Sequence, residues 1–568
     1  MASYYVQNFG CRATQADGAA IERQFEERGL ERATAPDQAE VVVLNTCTVT
    51  ASADQDARAA IRRVHRENPQ ARIVVTGCYA QRSPDELAAL PGVTQVIGNS
   101  HKHQLAALVQ EFAEAQSKAS AGFVPLAELI STCDLSRRPT TNDQRRFPLQ
   151  RPTTEDQGLL RTGELRNENR ELRTDVWVSD IFAHTDFLAA PVFDAANERT
   201  RPNLKVQDGC DNRCSFCVIP YVRGHSRSMR LERILDEVSN LVSAGYRELV
   251  ISGINLGRWG RDLEPAVRSP VFDFRDNLDL QTCGARDNGI VNPLQSSETI
   301  ALSRGRDRTP NAEHRRLNFV TLIRAVLDST ELEKLRISSV EPMDWTDELI
   351  ALVASSPRIA KHAHVPMQSG SDAVLRRMHR KYRPWHYREK IEKIRSAMPT
   401  AAIGADVMVG FPGETDAEFE ETRRMIEDLP FTYMHVFTYS PRPGTPAALV
   451  PRQVPVSVAR ERNRILRDLG TQKKHAFMQG FVGKTVEAIT LARGLELPPG
   501  ADLSHVGNTP RNVALRDADA FASEFSLTQY TETLTDNYLP LLVRGKHDPN
   551  QWRHVRVEGF EDGKLIGA

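Results

Sequence analysis

The 568-residue chain has few cysteines, almost no net charge and no long apolar run. Its eight cysteines are too few for a disulfide scaffold, so clustered ones indicate a metal site or catalysis. Lys and Arg number 73 and Asp and Glu 74, so the net charge of -1 neither supports nor excludes nucleic acid as a partner. No stretch approaches a membrane span, and the start, MASYYVQNFGC, has no basic segment before an apolar run. We therefore expect a cytoplasmic protein that enters no membrane.

The spacing of apolar residues predicts three folded parts. In residues 1–115, runs rich in Val and Ile alternate with helical spacing, which predicts a doubly wound α/β domain with a parallel sheet. The alternation returns in residues 201–455, where about six β/α units predict a partial (β/α)6 barrel. A connecting helix is expected over residues 456–479. Residues 480–568 show short strand-like runs separated by Gly, Asp and Pro, which predict a small β-barrel.

Two polar stretches interrupt this pattern. Residues 116–200 are rich in Arg and Thr and show little periodicity, and residues 264–314 are similar. Both are interpreted as insertions or linkers. Because Cys133 and Cys283 fall inside them, we expect these two thiols to have no function.

Three cysteines form a tight cluster in GCDNRCSFCVIPYVRGHSRS, just after the first strand predicted for the partial barrel. Cys210, Cys214 and Cys217 have the spacing C-x3-C-x2-C. Three thiolates can hold three corners of a 4Fe–4S cluster and leave its fourth iron open for a substrate. A zinc ion completed by His225 or a distant residue is the alternative, although zinc motifs usually consist of two ligand pairs.

The other three cysteines are far apart in the sequence, but each follows a predicted strand of the first domain. They are Cys11, Cys47 and Cys78. The carboxyl ends of parallel strands meet at one edge of a sheet, so separated residues can converge there. A shared site is therefore favoured over three ordinary buried thiols.

The motif C-x3-C-x-F-C, with Phe216 before Cys217, resembles the signature of the radical S-adenosylmethionine enzymes. The resemblance implies that the open iron binds S-adenosylmethionine, which an electron from the cluster cleaves to a 5′-deoxyadenosyl radical. ISGINLG (251–257), VPMQSGSDAVLRRM (365–378) and ADVMVGFPGET (405–415) agree with it. The implied cofactor-binding residues are Phe216, Tyr221, Arg223, Gly253, Asn255, Ser339, Gln368, Ser369 and Gly410.

FGC, NTCTVT and TGCYAQ, ahead of such a core and a small terminal barrel, resemble the methylthiotransferases of that superfamily. The resemblance covers nearly the whole chain except the two insertions. It implies that Cys11, Cys47 and Cys78 hold a second 4Fe–4S cluster, whose open iron carries or donates sulfur. It also implies that the terminal barrel is a TRAM domain, a module that binds RNA or another substrate.

NTCTVTASAD (45–54) resembles the branch of this family that modifies threonylcarbamoyladenosine beside the tRNA anticodon, and RISSVEP (336–342) and HRKYRP (379–384) agree. The implied target is C2 of the adenine, whose unactivated C–H no side-chain acid or base can remove. By resemblance, one S-adenosylmethionine methylates the sulfur and a second supplies the radical. The implied partners are the tRNA anticodon stem-loop, an electron donor of the flavodoxin or ferredoxin type and a sulfur source.

RNA contacts are expected from local basic segments. The candidates are RAAIRRVHR (58–66), RGHSRSMR (223–230) and RRMHRKYR (376–383), and Tyr221 and Arg223 are favoured because they lie beside the first cysteine cluster. Each segment alone is more commonly a solvated helix face.

Three alternatives remain open at this stage. One is a methylthiotransferase for isopentenyladenosine in tRNA or for an aspartate of a ribosomal protein. Another is an iron–sulfur protein that binds RNA or senses redox state without turnover. The third is a lone radical cluster with structural N-terminal cysteines. Iron content tests the third alternative, because a lone cluster gives about four irons per chain and two clusters give about eight.

Overall fold

The structure is a computed structural model, and the residues that it describes are 2–121, 174–188, 201–263, 317–497 and 528–568. Cys133 and Cys283 lie outside these residues, so their lack of function stays a prediction. No described helix combines the length and the apolar character that a bilayer span requires.

The first domain is a six-stranded parallel sheet in the order β2-β1-β3-β4-β5-β6. Its strands are β1 (Ser3–Asn8), β2 (Glu31–Arg32), β3 (Val41–Thr46), β4 (Arg72–Gly77), β5 (Val93–Gly98) and β6 (Asp175–Trp177). Its helices are α1 (Arg12–Glu26), α2 (Ala51–Glu67), α3 (Cys78–Arg82), α4 (Pro84–Ala88) and α5 (Leu105–Ala121). Helices cover both faces, which explains why β3 and β5 are buried along their whole length. The doubly wound α/β prediction is confirmed.

One expectation from the sequence needs correction. Strand β6 pairs with β5 at the edge of the sheet, so residues 116–200 are not wholly an insertion. Its three residues are too few for a two-residue period to show in the sequence. Between β4 and β5 lie two short helices, α3 and α4. Ser83 separates them with φ -139° and ψ 64°, because the following Pro84 disfavours helical backbone at the residue before it.

The second part is a partial barrel of six parallel strands that follow one another in chain order. The strands are β7 (Asn203–Asp208), β9 (Glu248–Gly253), β10 (Lys334–Ile337), β11 (His362–His364), β12 (Ala402–Val409) and β13 (Tyr433–Thr438). A two-residue strand, β8 (Arg227–Ser228), pairs antiparallel with β7. Isolated bridges such as Ser339 to His364 connect β10 to β11. Among the described residues β13 and β7 do not pair, so the barrel is incomplete, as predicted.

Helices surround these strands. They are α6 (Ile219–Arg223), α7 (Leu231–Ser243), α8 (Phe319–Ser329), α9 (Asp347–Ser355), α10 (Asp372–Arg377), α11 (Pro384–Ala397), α12 (Asp416–Asp428) and α13 (Val456–Gln479). Side chains alternate along each strand, so residues such as Leu204, Ile251 and Ile337 point outward and join one continuous apolar core with the helices. The intervening positions face inward and are largely polar, which gives the barrel a polar interior.

The last part is a closed five-stranded barrel in the order β14-β15-β16-β18-β17. Its strands are β14 (Thr485–Leu497), β15 (Thr528–Thr535), β16 (Pro540–Arg544), β17 (Trp552–Glu561) and β18 (Lys564–Gly567). The turn after β15 contacts the amino ends of the partial-barrel strands. There Arg336 donates to the carbonyl oxygen of Asp536 at 3.1 Å, and Asn537 donates to that of Thr400 at 2.8 Å. The predicted small β-barrel is confirmed.

Candidate functional site

The loop between β7 and α6 carries Cys210, Cys214 and Cys217 at the carboxyl end of the barrel strands. Two backbone hydrogen bonds fold it: the Cys217 N–H donates to the Cys214 carbonyl, and the Cys210 N–H donates to the Gly224 carbonyl, both at 3.1 Å. Gly209 begins the loop with φ +71°, and a Cβ there would lie 1.9 Å from the carbonyl oxygen of His225. Glycine is therefore required where the loop turns back on itself.

Hydrogen-bond donors surround the sulfur atoms of this loop. The backbone N–H of Asn212 lies 3.4 Å from Sγ of Cys210, and Nδ2 of Asn255 lies 3.5 Å from the same sulfur. Arg380 places Nη1 3.2 Å from Sγ of Cys214. Such donors stabilise a thiolate over a thiol.

Arg380 belonged to a basic segment expected to contact RNA, and the structure contradicts that role. It is only 8% exposed, and its guanidinium is held between Cys214, the carboxylate of Glu341 and the ring of Tyr382. Sequence reasoning missed its position beside the cysteine loop, because Arg380 and Cys214 are distant in the chain and only the barrel brings them together.

The buried thiols of this loop are hard to ionise without a cation. Burial, followed by the charges of Cys214 and Cys210, raises the pKa of Cys217 to about 12. Burial also raises the pKa of Cys210, again with Cys214 contributing. A positive metal centre would compensate the charge of three thiolates in this space. The donor set therefore fits an iron–sulfur cluster, although which group the cysteines hold stays a prediction.

The three N-terminal cysteines converge at the carboxyl edge of the first sheet. Cys11 caps α1, Cys47 follows β3, and Cys78 begins α3. A Cβ on Gly10 would lie 2.6 Å from Cβ of Cys47, so the strand ends are closely packed. Burial raises the pKa of Cys47 to about 12, and the neighbouring Cys78 and Cys11 add to the shift. This second triad needs a compensating cation for the same reason as the first.

The two triads lie next to each other across the boundary between the first domain and the partial barrel. Cys78 packs against Val218 and Val222, which belong to the loop and helix that follow Cys217. Asn99 donates one hydrogen bond to the Val222 carbonyl at 2.7 Å and one to Sγ of Cys78 at 3.6 Å. Both triads therefore border the same region of the molecule.

A buried network of charges holds this boundary. Arg223 donates to Asp208 at 2.8 and 3.1 Å and to Asp17 of α1 at 2.9 Å. Lys205 bonds to both carboxylates, and Lys102 bonds to Asp17 at 3.1 Å. Burial raises the pKa of Asp17, but its three cationic neighbours outweigh burial and lower it to about 2. The network joins the first domain to the loop that carries the first triad.

The position of Arg223 corrects the expected RNA contact. The side chain is 2% exposed, and both of its terminal nitrogens bond to carboxylates inside the protein. Arg227 of the same basic segment also points inward, donating to the carbonyl oxygens of His184 and Arg223 at 3.0 Å. The sequence shows that these residues are basic, but the buried acidic partners come from distant segments.

The residues expected to contact S-adenosylmethionine lie at the carboxyl ends of successive strands. Gly253 ends β9, and a Cβ there would lie 2.9 Å from that of Gln207. The Asn255 N–H donates to Oε1 of Gln207 at 2.6 Å, whereas its Oδ1 is buried without a hydrogen-bond partner among the described residues. That oxygen is an acceptor available to a bound group. Ser339 is half-buried and bridges to His364 on β11.

The next strand ends carry Gln368, Ser369 and Gly410. Gln368 has φ +63°, and its carbonyl accepts from the N–H of Met408 at 2.8 Å. The Ser369 side chain is 1% exposed, and its hydroxyl lies 3.1 Å from that of Thr422. The Gly410 N–H donates to Glu414 at 2.7 Å. In this structure the polar groups of Ser369 and Gly410 are bonded within the protein.

Two predicted aromatic residues have different environments. Phe216 is partly buried and meets the ring of Phe411 edge-on, with centroids 6.4 Å apart. Tyr221 is 53% exposed, and its ring meets that of Phe182 at 6.4 Å. Phe182 also lies 5.2 Å from the ring of His225. Phe182, Tyr221 and His225 thus form an exposed aromatic patch beside the first triad.

Sequence reasoning missed a polar cluster on the inner face of the partial barrel. Nε2 of His364 lies 3.2 Å from Oδ1 of Asp406, and the rings of His364 and His435 stack with centroids 5.6 Å apart. The signal in the sequence was two histidines, His362 and His364, two positions apart in a short strand. A polar residue at every second position indicates a strand with one polar face.

Comparison with known proteins identifies the family. Residues 3–98 match the family described as "Uncharacterized protein family UPF0004", and residues 204–274 and 299–426 match the radical SAM superfamily. "Threonylcarbamoyladenosine tRNA methylthiotransferase MtaB" of Bacillus subtilis is 31% identical over 86% of this chain and 85% of its own length. "tRNA-2-methylthio-N(6)-dimethylallyladenosine synthase" of Erythrobacter litoralis is 29% identical over 87% of each chain.

Among solved structures, the radical S-adenosylmethionine methyltransferase TsrM of Kitasatospora setae aligns with a TM-score of 0.44 and 13% identity, over 79% of this chain and 77% of that one. The assignment depends instead on the sequence relatives, which are aligned over most of both chains. The chain belongs to the radical S-adenosylmethionine methylthiotransferase family.

Proposed function

We propose that this enzyme adds a methylthio group to C2 of N6-threonylcarbamoyladenosine next to the anticodon of tRNA. The observation that most supports methylthio transfer is that the two cysteine triads lie next to each other, with Cys78 packed against Val218 and Val222. The name of the Bacillus subtilis relative supports this nucleoside, whereas that of the Erythrobacter litoralis relative points to the isopentenyl form. The choice between these two nucleosides is therefore what an experiment has to test.

The 4Fe–4S clusters and the S-adenosylmethionine of this family supply the electron, the radical, the methyl group and the sulfur, none of which a side chain can provide. Cys210, Cys214 and Cys217 would hold the cluster that binds S-adenosylmethionine. Cys11, Cys47 and Cys78 would hold the sulfur-carrying cluster. An electron donor of the flavodoxin or ferredoxin type and a sulfur source stay predictions.

The protein's own contribution is to hold the adenine between the two triads and to keep water away from it. Phe437, on the inner face of β13, is a hydrophobic side chain with 47% of its surface exposed. Val49, two residues after Cys47, is 50% exposed. An anticodon-loop base that leaves its stack is commonly held against an aromatic ring. We assign Phe437 as the stacking partner of the target adenine.

The surface around the site has both the aromatic and the cationic side chains that RNA binding requires. The exposed patch of Phe182, Tyr221 and His225 provides aromatic faces beside the first triad. Among the described residues, the exposed Arg62 and Lys381 have no ion-pair partner, so their charges are available to phosphates. Arg58 of the same helix as Arg62 is instead paired with Glu86 at 2.8 Å.

The test is the nucleoside content of tRNA. Total tRNA from a strain lacking the gene, from the same strain with the wild-type gene and from one with Cys47→Ala is digested and analysed by mass spectrometry. We expect methylthio-threonylcarbamoyladenosine to disappear without the gene and to return only with the wild-type copy. Loss of the methylthio-isopentenyl form instead would identify isopentenyladenosine as the substrate. If no nucleoside changed, tRNA would be excluded as the substrate.

A further inference from the structure

Arg12 is a cation without an anionic partner among the described residues. It follows Cys11 directly and is the first residue of α1. It is half-buried, and its Nη2 donates one hydrogen bond, to the hydroxyl of Tyr538 at 3.3 Å. Within the described ranges, no carboxylate lies within ion-pair distance of its guanidinium. A partly buried cation in this situation is normally compensated by a bound anion or a nearby carboxylate.

The guanidinium of Arg12 lies beside the inner face of the partial barrel. Tyr538, its hydrogen-bond partner, has ring centroids 4.7 Å from His362 and 6.0 Å from Tyr433. Burial is the largest cause of the lowered pKa of His435, and the charge of Arg12 contributes to it. Arg12 therefore acts on the same surface that carries the polar cluster of β11, β12 and β13.

That surface also holds a carboxylate with free acceptor capacity. The hydroxyl of Tyr433 fixes two histidines, at 2.7 Å from Nε2 of His362 and 3.1 Å from Nδ1 of His364. Asp406 approaches Nε2 of His364 at 3.2 Å, but the contact is not aligned as a hydrogen bond. The Asp406 side chain is 26% exposed, and no described residue donates a hydrogen bond to it. His435, beside it, is exposed.

We propose that Arg12 and Asp406 form the subsite that recognises the substituent on N6 of the adenine. Arg12 binds a carboxylate of that substituent, and Asp406 accepts hydrogen bonds from its N–H or O–H groups. Asp406 would repel a carboxylate beside it, so the two residues also fix the orientation of the substituent. The ligand class is an adenosine whose N6 group carries both an anion and hydrogen-bond donors.

This inference rests on the proposed function and makes it specific. A threonylcarbamoyl group has one carboxylate, a hydroxyl and amide N–H groups, which matches one cation and one free acceptor. An isopentenyl group has none of these and would leave Arg12 and Asp406 unpaired and desolvated. The pair would thus select for the first substituent and against the second.

The test compares two RNA substrates. One is an anticodon stem-loop with threonylcarbamoyladenosine, and the other is the same RNA with the carboxylate converted to a neutral methylamide. Wild-type holoenzyme, Arg12→Gln, Arg12→Lys and Arg28→Gln are assayed for kcat and KM. Arg28 is the matched control, because it is exposed near the end of the same helix and, among the residues that the structure describes, donates only to the Gln24 carbonyl.

We expect wild-type enzyme and Arg28→Gln to prefer the acid by about tenfold to a hundredfold in kcat/KM, the usual range for a charge-assisted hydrogen bond. Arg12→Gln should lose this preference mainly through KM, and Arg12→Lys should keep part of it. Equal slowing of both RNAs by Arg12→Gln would overturn the inference, because Arg12 would then act through the neighbouring Cys11. A wild-type enzyme active on both RNAs without preference would also overturn it, leaving the proposed function intact. Wild-type inactivity on both RNAs would instead refute the proposed function.

Discussion

The two cysteine triads of this enzyme are built in opposite ways. Cys210, Cys214 and Cys217 lie close together in one loop, whose backbone is bonded within itself and, through Ser215, to Met378 and Ala447. Cys11, Cys47 and Cys78 come from the ends of three strands and meet only when the parallel sheet has formed. The cysteines of the first triad are therefore neighbours in the chain, whereas those of the second are brought together only by the topology of the sheet.

This difference makes the second triad more dependent on the rest of the fold. A single loop of ten residues keeps its three thiols close together whatever the register of distant strands. A triad from three strand ends requires the strands to be in register and the neighbouring domain to be in place. If the two triads are independent, each can be disturbed without loss of the other.

The largest expected effect follows from removing one thiol from each triad. Cys47→Ser and Cys214→Ser should each hold about four irons per chain instead of about eight, because one cluster loses a ligand. Neither variant should form a methylthio product. 5′-Deoxyadenosine formation should fall below detection in Cys214→Ser and remain measurable in Cys47→Ser. Iron analysis and product analysis of the reconstituted proteins check this.

Cys133→Ser serves as the control, because we predict no function for that thiol, and it should retain about eight irons. Complete loss of iron in either single variant would contradict the independence of the two triads.

The second prediction concerns the buried charges between the two triads. Arg223→Met leaves Asp17 and Asp208 buried with fewer cations, and breaking a buried ion pair in this way typically costs about 3–5 kcal/mol. The matched control is Arg23→Met. Arg23 also links α1 to the barrel, through Glu237 at 3.4 Å, but its side chain is 40% exposed. That substitution should cost less than about 1 kcal/mol. Denaturant unfolding of both variants measures the difference, and equal costs would contradict it.

The same buried network makes the stability of the fold depend on pH in a fixed direction. The pKa of Asp17 is lowered to about 2 in the folded protein, below its ordinary value of 3.8. Its contribution to stability is therefore fully present above pH 4 and is lost as the pH falls from about 4 towards 2. Asp17→Asn should flatten the acid limb of the stability profile. An unchanged acid limb would show that Asp17 is not the titrating group.

The fold of the described residues followed closely from the sequence wherever the apolar period was strong. The structure has the predicted alternation of Val- and Ile-rich strands with helices in the first domain and in the partial barrel, as in β12 and α11. Strand β6 was missed because it is a short edge strand in a polar stretch, stabilised by pairing with β5. Its position depends on a neighbouring strand and not on its own residues.

The convergence of the cysteines was predictable, because it follows from the order of strands and helices along the chain. The three strand-end cysteines converge because parallel strands share an edge, which the sequence pattern already implies. The partners of Arg223 and Arg380 were not predictable, because Asp17, Asp208, Cys214 and Glu341 come from separate segments of the chain. A basic residue in a sequence does not indicate whether solvent, RNA or a buried carboxylate is its partner.

The smallest expected effect compares two glycines, one for each triad. Gly209→Ala would press on the carbonyl of His225 in the first loop, and Gly10→Ala would press on Cβ of Cys47 in the second triad. Each also has a positive φ, which costs about 1–2 kcal/mol for alanine. Each variant should therefore release iron from its own triad faster, with the other cluster unaffected.

Gly29→Ala separates the backbone effect from the contact effect. Gly29 has φ +75°, but no atom of the described part of the chain lies within 4 Å of an added Cβ, so only the backbone cost applies. Iron release to a chelator, followed separately for the two clusters, measures all three variants. If Gly10→Ala released iron no faster than Gly29→Ala, the close packing of Gly10 on Cys47 would not matter for the second triad. If iron release were slowest in Gly29→Ala and faster in both Gly209→Ala and Gly10→Ala, each triad would depend on one close backbone approach. That approach lies within the loop for the first triad and between strand ends for the second.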